Sequence, residues 1–555
     1  MSDTSNPVPV SLDNVDHLVS AVDELVTAAI SVASAATNGG KAIDDYQVHT
    51  ERIAYAATEC EAAKALASYA RRAADAGADE AGLYAEEAGL YAAEVAARIH
   101  GEVTQAADDY ALPEGLLEKT LGNSETQSSI RALSAEARYR ALGRRIAEAR
   151  GVNNSWLDED SVMVRDSVRA FANQEVSHLA EHIHRNDELV PDTLISKMAE
   201  MGYFGMSVPE QYGGLGMGNL AMILTTEELS RVSLAAAGSL ITRPEILTKA
   251  LLAGGTEDQK GQWLGRAASG EIMVGISVTE PDVGSDVASV ACRADEAEVD
   301  GKKGFVINGA KAWCTFAGRA NVLALLARTD PDPKAGARGL SLFIVEKDAF
   351  DGHEFDMRQP TGGSMTGKAD ATPGYRGMHS YTVMFEDYFV PAENMIGGDK
   401  GRNRGFYLQM GGFAAGRLQT GGRASGLAQA ALEVTATYVT DRKQFKRPII
   451  EFQLTQYKLG RMAARLQAAR QLTYQAALAM DEDESISLVP AMAKLLACDI
   501  AVYAAQEGQL LHGGWGYAEE YAISRYVIDA QVLPIFEGVK PILELKVIGR
   551  QLLAA

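Results

Sequence analysis

Between residues 272 and 389 the chain changes character, and that change limits the folds open to it. The runs at 273–278, 304–308, 321–326 and 340–345 are short and apolar, with turn residues between them at strand-length intervals. Such spacing predicts an all-β segment, with 381–389 as its last strand. On either side the pattern is helical. Residues 158–180 suit one amphipathic helix, Thr256 suits the N-cap of another, and long helical periods return at 405–440, 451–481 and 487–511. A β segment enclosed by helical ones predicts an α+β fold. At 555 residues, two to four domains are expected.

The first 152 residues stand apart, being rich in Ala and acidic residues and poor in β-branched runs. Residues 81–94 read Ala-Gly-Leu-Tyr-Ala-Glu-Glu and then Ala-Gly-Leu-Tyr-Ala-Ala-Glu. This tandem heptad puts Leu83, Tyr84, Leu90 and Tyr91 on one helical stripe. Two heptads are too few for a coiled coil, so a small helical bundle is expected. Gly151-Val152-Asn153-Asn154-Ser155 reads as a linker. The predicted division is a helical N-terminal extension at 1–152, a helical domain at 153–270, a β-domain at 271–395 and a helical domain at 396–555.

Charge and cysteine usage narrow the function. The net charge is −22 and no basic run appears, so nucleic acid is not an expected partner. No signal-like N-terminus and no uninterrupted apolar stretch of about 18 residues is seen, so neither secretion nor a membrane span is expected. Cys60, Cys292, Cys314 and Cys498 are scattered without a CxxC pair. That speaks against a disulfide framework or zinc site, and for a reducing cytoplasm with no metal.

Three stretches carry candidate chemistry. Thr279-Glu280-Pro281-Asp282-Val283-Gly284-Ser285-Asp286 closes the first strand with hydroxyls, backbone N–H groups and a glycine. It suits a polar ring edge or a phosphate, and equally an ordinary polar turn. Asn308-Gly309-Ala310-Lys311-Ala312-Trp313-Cys314-Thr315 reads as a hairpin leading into a strand. The period of two would put Trp313 and Thr315 on one face. Leu533-Pro534-Ile535-Phe536-Glu537-Gly538-Val539 sets one carboxylate in apolar company. Desolvation there would raise its pKa towards the range of a working general base.

These pieces, taken in order, resemble the acyl-CoA dehydrogenases, which are FAD enzymes. The resemblance runs from about residue 158 to 550. It rests on the 279–286 loop, on Lys311-Ala312-Trp313-Cys314-Thr315 and on Phe385-Glu386-Asp387-Tyr388-Phe389-Val390-Pro391. Gly416-Arg417, Asp441-Arg442-Lys443-Gln444-Phe445, Phe452-Gln453, His512-Gly513-Gly514-Trp515-Gly516-Tyr517 and Phe536-Glu537-Gly538 complete it. It implies an N-terminal α-domain, a middle β-domain and a C-terminal four-helix domain, with the flavin ring between the last two.

The same resemblance assigns roles. Glu537 would remove the α-proton of an acyl-CoA thioester, and the β-hydrogen would leave as hydride to flavin N5. The backbone N–H of Glu537 would meet the thioester oxygen, with Gly538 on the substrate side. Thr279, Ser285, Trp313 and Thr315 would hold the flavin, and Ser285 would also meet the CoA region. Arg442, Phe445, Gln453, Gly513 and Gly514 would hold the adenosine-diphosphate part, partly from a neighbouring subunit of a dimer or tetramer. Arg417 would meet the CoA side. Electron-transferring flavoprotein is the implied acceptor.

One branch of the family takes its base from the residue before the counterpart of Arg417. Here that residue is Gly416, which has no side chain to serve. A flavin oxidase or monooxygenase on the same scaffold is disfavoured by glutamate at 537. Where the family often reads Glu-Gly-Thr, this chain reads Glu537-Gly538-Val539-Lys540-Pro541, so a hydroxyl is missing beside the base. That variant and the N-terminal extension point, within the family, to a branched dicarboxylic substrate. A distal carboxylate needs a cation, because burying an unpaired charge is costly. Arg243, in Ile241-Thr242-Arg243-Pro244-Glu245, lies at a helix start in the stretch that floors the acyl cavity in the family, and is the expected partner, with an internal pair to Glu245 or a surface position as the alternative.

Overall fold

The computed structural model describes residues 8–554. They form two compact units. One joins the chain up to Val162 with Thr420–Ala479 and the segment from Ile486 onward. The other comprises Met163–Gln419 and Met480–Ser485.

In the first unit the extension forms three long helices, Leu12–Ala36, Gln47–Asp75 and Ala81–Gln105, then Ser124–Leu133 and Glu136–Glu148. Apolar positions three and four apart decide which face turns inward. Val15, Leu18, Val22, Leu25, Val26, Ala29 and Ala33 are all buried on the first helix. The tandem heptad lies in the third helix, and Leu83, Tyr84, Leu90 and Tyr91 are buried as expected. Leu12–Ala36 and Leu488–Tyr517 are long and apolar enough to cross a bilayer by composition, and 39% and 72% of their apolar windows are buried inside the protein.

The extension is fastened to the C-terminal helices rather than tethered to them. Glu94 Oε1 accepts from Arg461 Nη2 at 2.9 Å and from Arg465 Nε at 2.8 Å. The Tyr139 and Tyr457 rings lie 4.9 Å apart. At Gly143 and Gly460 two backbones nearly touch. A Cβ at Gly143 would fall 1.8 Å from the Gln456 carbonyl oxygen, and one at Gly460 would fall 2.1 Å from that of Tyr139. Residues 151–155, expected to be a linker, form a pinned strap. Asn153 is 1% exposed, donates to Glu87 Oε1 at 2.8 Å and accepts from Arg470 Nη1 at 2.6 Å through its carbonyl. The linker has no regular structure, and its Asn-Asn-Ser also carries the polar groups that satisfy a partly buried crossing.

In the second unit, the helix expected at 158–180 runs as Glu159–Phe171, one wide π-type turn, and Ser177–Asn186. Thr256 does cap the helix Glu257–Ala268. Its hydroxyl accepts from Gln259 N, and Gln259 Oε1 accepts from Thr256 N. The eight strands are β1 (Val274–Ser277), β2 (Arg293–Val299), β3 (Lys302–Thr315), β4 (Val322–Arg328), β5 (Leu340–Glu346), β6 (Glu354–Arg358), β7 (Ser364–Ala369) and β8 (Ser380–Pro391). Their order is β1-β4-β2-β3-β8-β7-β6, with β5 on β4. Only β1–β4 and the single β2–β4 pair are parallel. Asp300 and Gly301, both at positive φ, turn β2 into β3 as a two-residue hairpin. Val274, Val322, Ala324, Leu342 and Ile344 pack with Leu247, Trp263 and Leu264 of the helices, so the core lies between sheet and helices.

Candidate active site

Glu537 lies in a turn that follows the helix Ala522–Ala530. Phe536 N donates to Val532 O at 3.1 Å, and Lys540 N closes the turn on Pro534 O at 2.9 Å. Glu537 has φ 53° and Gly538 φ 98°. A glutamate in the left-handed region is a strained backbone, and such strain persists only where its surroundings impose it. Here they do. Lys494, 1% exposed, donates through Nζ to Gly538 O at 2.7 Å. The Arg423 guanidinium lies 4.7 Å from the centre of the Phe536 ring. The Glu537 residue itself is half-buried, not enclosed.

The same unit holds an open cleft of about 610 Å³ whose walls include Tyr438, Arg442, Gln444, Trp515, Gly513 and Gly514. Gly513 sits at φ 63°, just past the helix Leu488–His512. A Cβ at Gly513 or Gly514 would meet nothing within 4 Å, so bare backbone faces open space. His512 stacks on Tyr438 at 4.2 Å and 24°, with Nδ1 2.7 Å from Gly508 O. Burial pushes His512 below the usual histidine range, against the hydrogen bond to Gly508 O. Phe445 and Gln453 are not in the cleft wall. Phe445, 88% exposed, tips the hairpin of Lys443–Gln444 on Arg447–Pro448, and Gln453 opens the following helix from an exposed position. His512 stands in its Gly-Gly motif with no role assigned from sequence, and nothing in the sequence marks Tyr438.

The second unit carries the other candidates. Ser285 is exposed and Thr279 half-buried, on a loop that pairs Glu280 N with Val283 O at 2.8 Å. The Thr279 carbonyl accepts from Ala312 N at 2.8 Å, which ties the loop to β3. Under it lies a buried ion pair that the motif reading passed over. Lys311, 0% exposed, donates to Glu280 Oε1 and to Val278 O, both at 2.9 Å. Glu280 also accepts from Ala291 N and Cys292 N, each at 2.8 Å. Two charges placed 31 residues apart inside otherwise polar motifs were its only trace.

The stretch from Asn308 to Thr315 is not a hairpin. It is the second half of one long strand, β3, kinked by register shifts at 307/309 and 311/314. The second shift breaks the simple alternation that was to align Trp313 with Thr315. Trp313, at φ 56° and 59% exposed, sits in that irregularity, while the Thr315 hydroxyl lies 3.2 Å from that of Ser380. Bulges re-aim side chains in this way.

Arg243 is buried, in the turn before the helix Glu245–Gly254, as its neighbour Pro244 foretold. It donates through Nε to Ser239 O at 3.1 Å and through Nη2 to Thr242 Oγ1 at 3.0 Å. Arg417, on the helix Gly405–Asp441, is also buried rather than on a solvated face. Asp187, His353 and His379 bring their ligand atoms within 4.8 Å of one another. Arg376 Nε lies 3.0 Å from the same Asp187 oxygen that His379 Nε2 approaches at 3.1 Å, so the carboxylate already has a cation.

Comparison with known proteins settles the lineage. Residues 158–271 match the acyl-CoA dehydrogenase N-terminal domain, 275–388 the middle domain and 403–553 the C-terminal domain. The chain belongs to the acyl-CoA dehydrogenase family. It is 43% identical over 420 residues to (2S)-methylsuccinyl-CoA dehydrogenase of Cereibacter sphaeroides, covering 76% of this chain and 74% of that protein. Acyl-CoA dehydrogenase of Bacillus subtilis strain 168 is 36% identical over 71% of this chain and 98% of its own. The structure of butyryl-CoA dehydrogenase from Megasphaera elsdenii matches 72% of this chain and all of its own, with a TM-score of 0.65 and 29% identity. The protein is therefore an oxidoreductase that dehydrogenates an acyl-CoA, built as the family's three domains with additional N-terminal helices.

Proposed function

We propose that this protein is an FAD-dependent dehydrogenase of (2S)-methylsuccinyl-CoA, forming mesaconyl-CoA, with Glu537 as the base. The observation that carries the reading is Glu537 itself. It is a carboxylate at φ 53° in a turn gripped by Lys494, at the position the family uses for its base. Support for the particular ester is the 43% identity to a methylsuccinyl-CoA dehydrogenase.

The residues suit the cofactor. Gly513 and Gly514 present bare backbone to the open cleft, and Arg442 in its wall supplies a cation for a diphosphate. Phe445 and Gln453 would add to it from outside the wall. Thr279, Ser285, Trp313 and Thr315 are the groups assigned to the flavin. When bound, the flavin supplies the acceptor for the β-hydride.

The chain's own groups do the rest. The Glu537 carboxylate takes the α-proton, and the electron pair of that C–H bond moves towards the thioester carbonyl. The backbone N–H of Glu537, beside Gly538, stabilises the charge gathering on the carbonyl oxygen. Arg417 meets the CoA portion. Arg243 pairs with the distal carboxylate of the dicarboxylic acyl group. A homo-oligomer in the cytoplasm, passing electrons to electron-transferring flavoprotein, completes the proposal.

The test is anaerobic bleaching of the flavin by a panel of acyl-CoAs that includes methylsuccinyl-CoA. Glu537→Gln should bind ester yet reduce the flavin about 10³-fold more slowly, the scale of a lost general base. Normal bleaching by that variant would refute the base. Arg243→Met should lose about 2–5 kcal/mol in kcat/KM on the dicarboxylic ester, the scale of a broken buried charge pair. An equal loss on neutral esters would remove Arg243 from the site.

A further inference from the structure

We propose that the N-terminal extension is a positioning device for the catalytic turn, with Tyr55 acting through Asp499 and Lys540 on Glu537. The proposal rests on the reading of Glu537 as the base. Tyr55 belongs to the extension helix Gln47–Asp75, and its hydroxyl donates to Asp499 Oδ2 at 2.9 Å. The same carboxylate oxygen receives Lys540 Nζ at 2.6 Å. The Lys540 ammonium also stands 4.9 Å from the centre of the Tyr55 ring. Cation, carboxylate and phenol thus form one cluster on three segments far apart in sequence, and Arg98, paired with Glu59, flanks it with its guanidinium 5.7 Å from the centre of the Tyr55 ring.

Lys540 is where the strained turn closes, through its backbone N–H on Pro534 O. Asp499 lies on the helix Leu488–His512, one turn and a half beyond Lys494, which holds Gly538 O. One helix therefore grips the turn twice, once directly and once by way of Lys540. Tyr55 fixes the second grip. An aspartate carboxylate can rotate, and a phenol hydroxyl on one oxygen selects the rotamer that meets Lys540. Glu544 faces the cluster from beyond the turn, 3.8 Å from Lys540 Nζ, and Glu51 faces it from the extension helix. With several acidic groups competing for one ammonium, the Tyr55 hydroxyl decides which of them Lys540 joins. A left-handed Glu537 needs such fixed flanks, because relaxation of the turn would swing the carboxylate away from its working position.

The experiment is single-turnover flavin reduction in the holoenzyme at saturating acyl-CoA, followed across pH. Tyr55→Phe removes one hydroxyl and keeps the ring. We expect flavin content and substrate affinity to hold while reduction slows about tenfold, within the scale of a base displaced by a fraction of an ångström. The pH profile of reduction should move with it, which a merely structural role would not produce. Tyr55→Phe combined with Asp499→Asn should be no slower than Asp499→Asn alone, because the two act in series. Should Asp499→Asn fail to fold, Lys540→Met must reproduce the slow reduction and Lys540→Arg must restore it. Wild-type reduction and an unchanged pH profile in Tyr55→Phe overturn the proposal, as do independent, multiplying losses. Glu537→Gln separates the two levels. If it is inert while Tyr55→Phe is normal, only the brace fails; if it bleaches normally, the base assignment fails.

Discussion

The turn that carries Glu537 and the loop that carries Thr279 and Ser285 are held by different means. The loop rests on a sheet. Its neighbours are fixed by strand ladders, and beneath it Lys311 and Glu280 form an ion pair 0% and 7% exposed. The Glu537 turn has no ladder. Backbone hydrogen bonds close it, and side chains grip it from outside, with Lys494 on one carbonyl and Lys540 against an Asp499 that is 23% exposed. A fully buried pair is all-or-nothing, since either charge alone is left without water. A half-exposed pair contributes little to stability, because water substitutes for a lost partner. The first kind fixes a scaffold. The second can place a group without deciding whether the chain folds.

The sharpest way to break the contrast is to remove one cation from each. Lys311→Met should cost about 3–5 kcal/mol, the scale of an orphaned buried charge. Lys540→Met should cost about 0–1 kcal/mol, the scale of a partly exposed pair. Denaturant midpoints measure both, and equal losses would erase the distinction.

Backbone proximity gives the next largest effect. Gly143→Ala would drive a Cβ into the Gln456 carbonyl, and we expect about 2 kcal/mol of destabilisation. Gly261, inside the helix Glu257–Ala268, has nothing within 4 Å of its missing Cβ. Gly261→Ala should stabilise by about 0.5–1 kcal/mol, through helix propensity and a less free unfolded chain. If Gly143→Ala were as harmless, the extension would not be packed as described.

A further effect is linked to pH and centres on Glu87 of the extension. Burial pushes Glu87 up to about 8, against 4.5 for an ordinary glutamate. Among the described residues its Oε2 finds no hydrogen-bond donor to hold a charge there. Between those pH values the folded chain holds a proton that the unfolded chain has released. Stability from this group therefore falls as pH rises from about 4.5 to 8 and is level above. In Glu87→Gln the thermal midpoint should decline less over that window than in the wild type. Parallel curves would show that Glu87 is ionised in the fold.

Much of this architecture was legible in the chain because it depends on local periodicity. The heptad tyrosines, the apolar strands β1, β4 and β5, and the three long C-terminal helices all follow from which residues recur at two or at three and four. Strands β2 and β6 did not stand out. Arg-Ala-Asp-Glu-Ala-Glu-Val and Glu-Phe-Asp-Met-Arg are largely exposed, so their strand character comes from pairing rather than from apolar runs. Gly513, Gly514 and Arg442 line one cleft, whereas Phe445 and Gln453, grouped with them by the resemblance, do not. The irregularity at Trp313 was hidden, because a register shift depends on the partner strand.

By itself, then, the sequence determined the elements and the family motifs, and it picked out Glu537 as the carboxylate proposed as the base. Only the tertiary structure decided that Asn153 pins the linker at 151–155 to Glu87, that Lys311 answers Glu280, and that Tyr55 reaches Asp499 from 444 positions away. The physical reason is range. Propensity and periodicity act within a turn or two of the chain, whereas burial and charge pairing depend on what other segments bring alongside. No local signal records that.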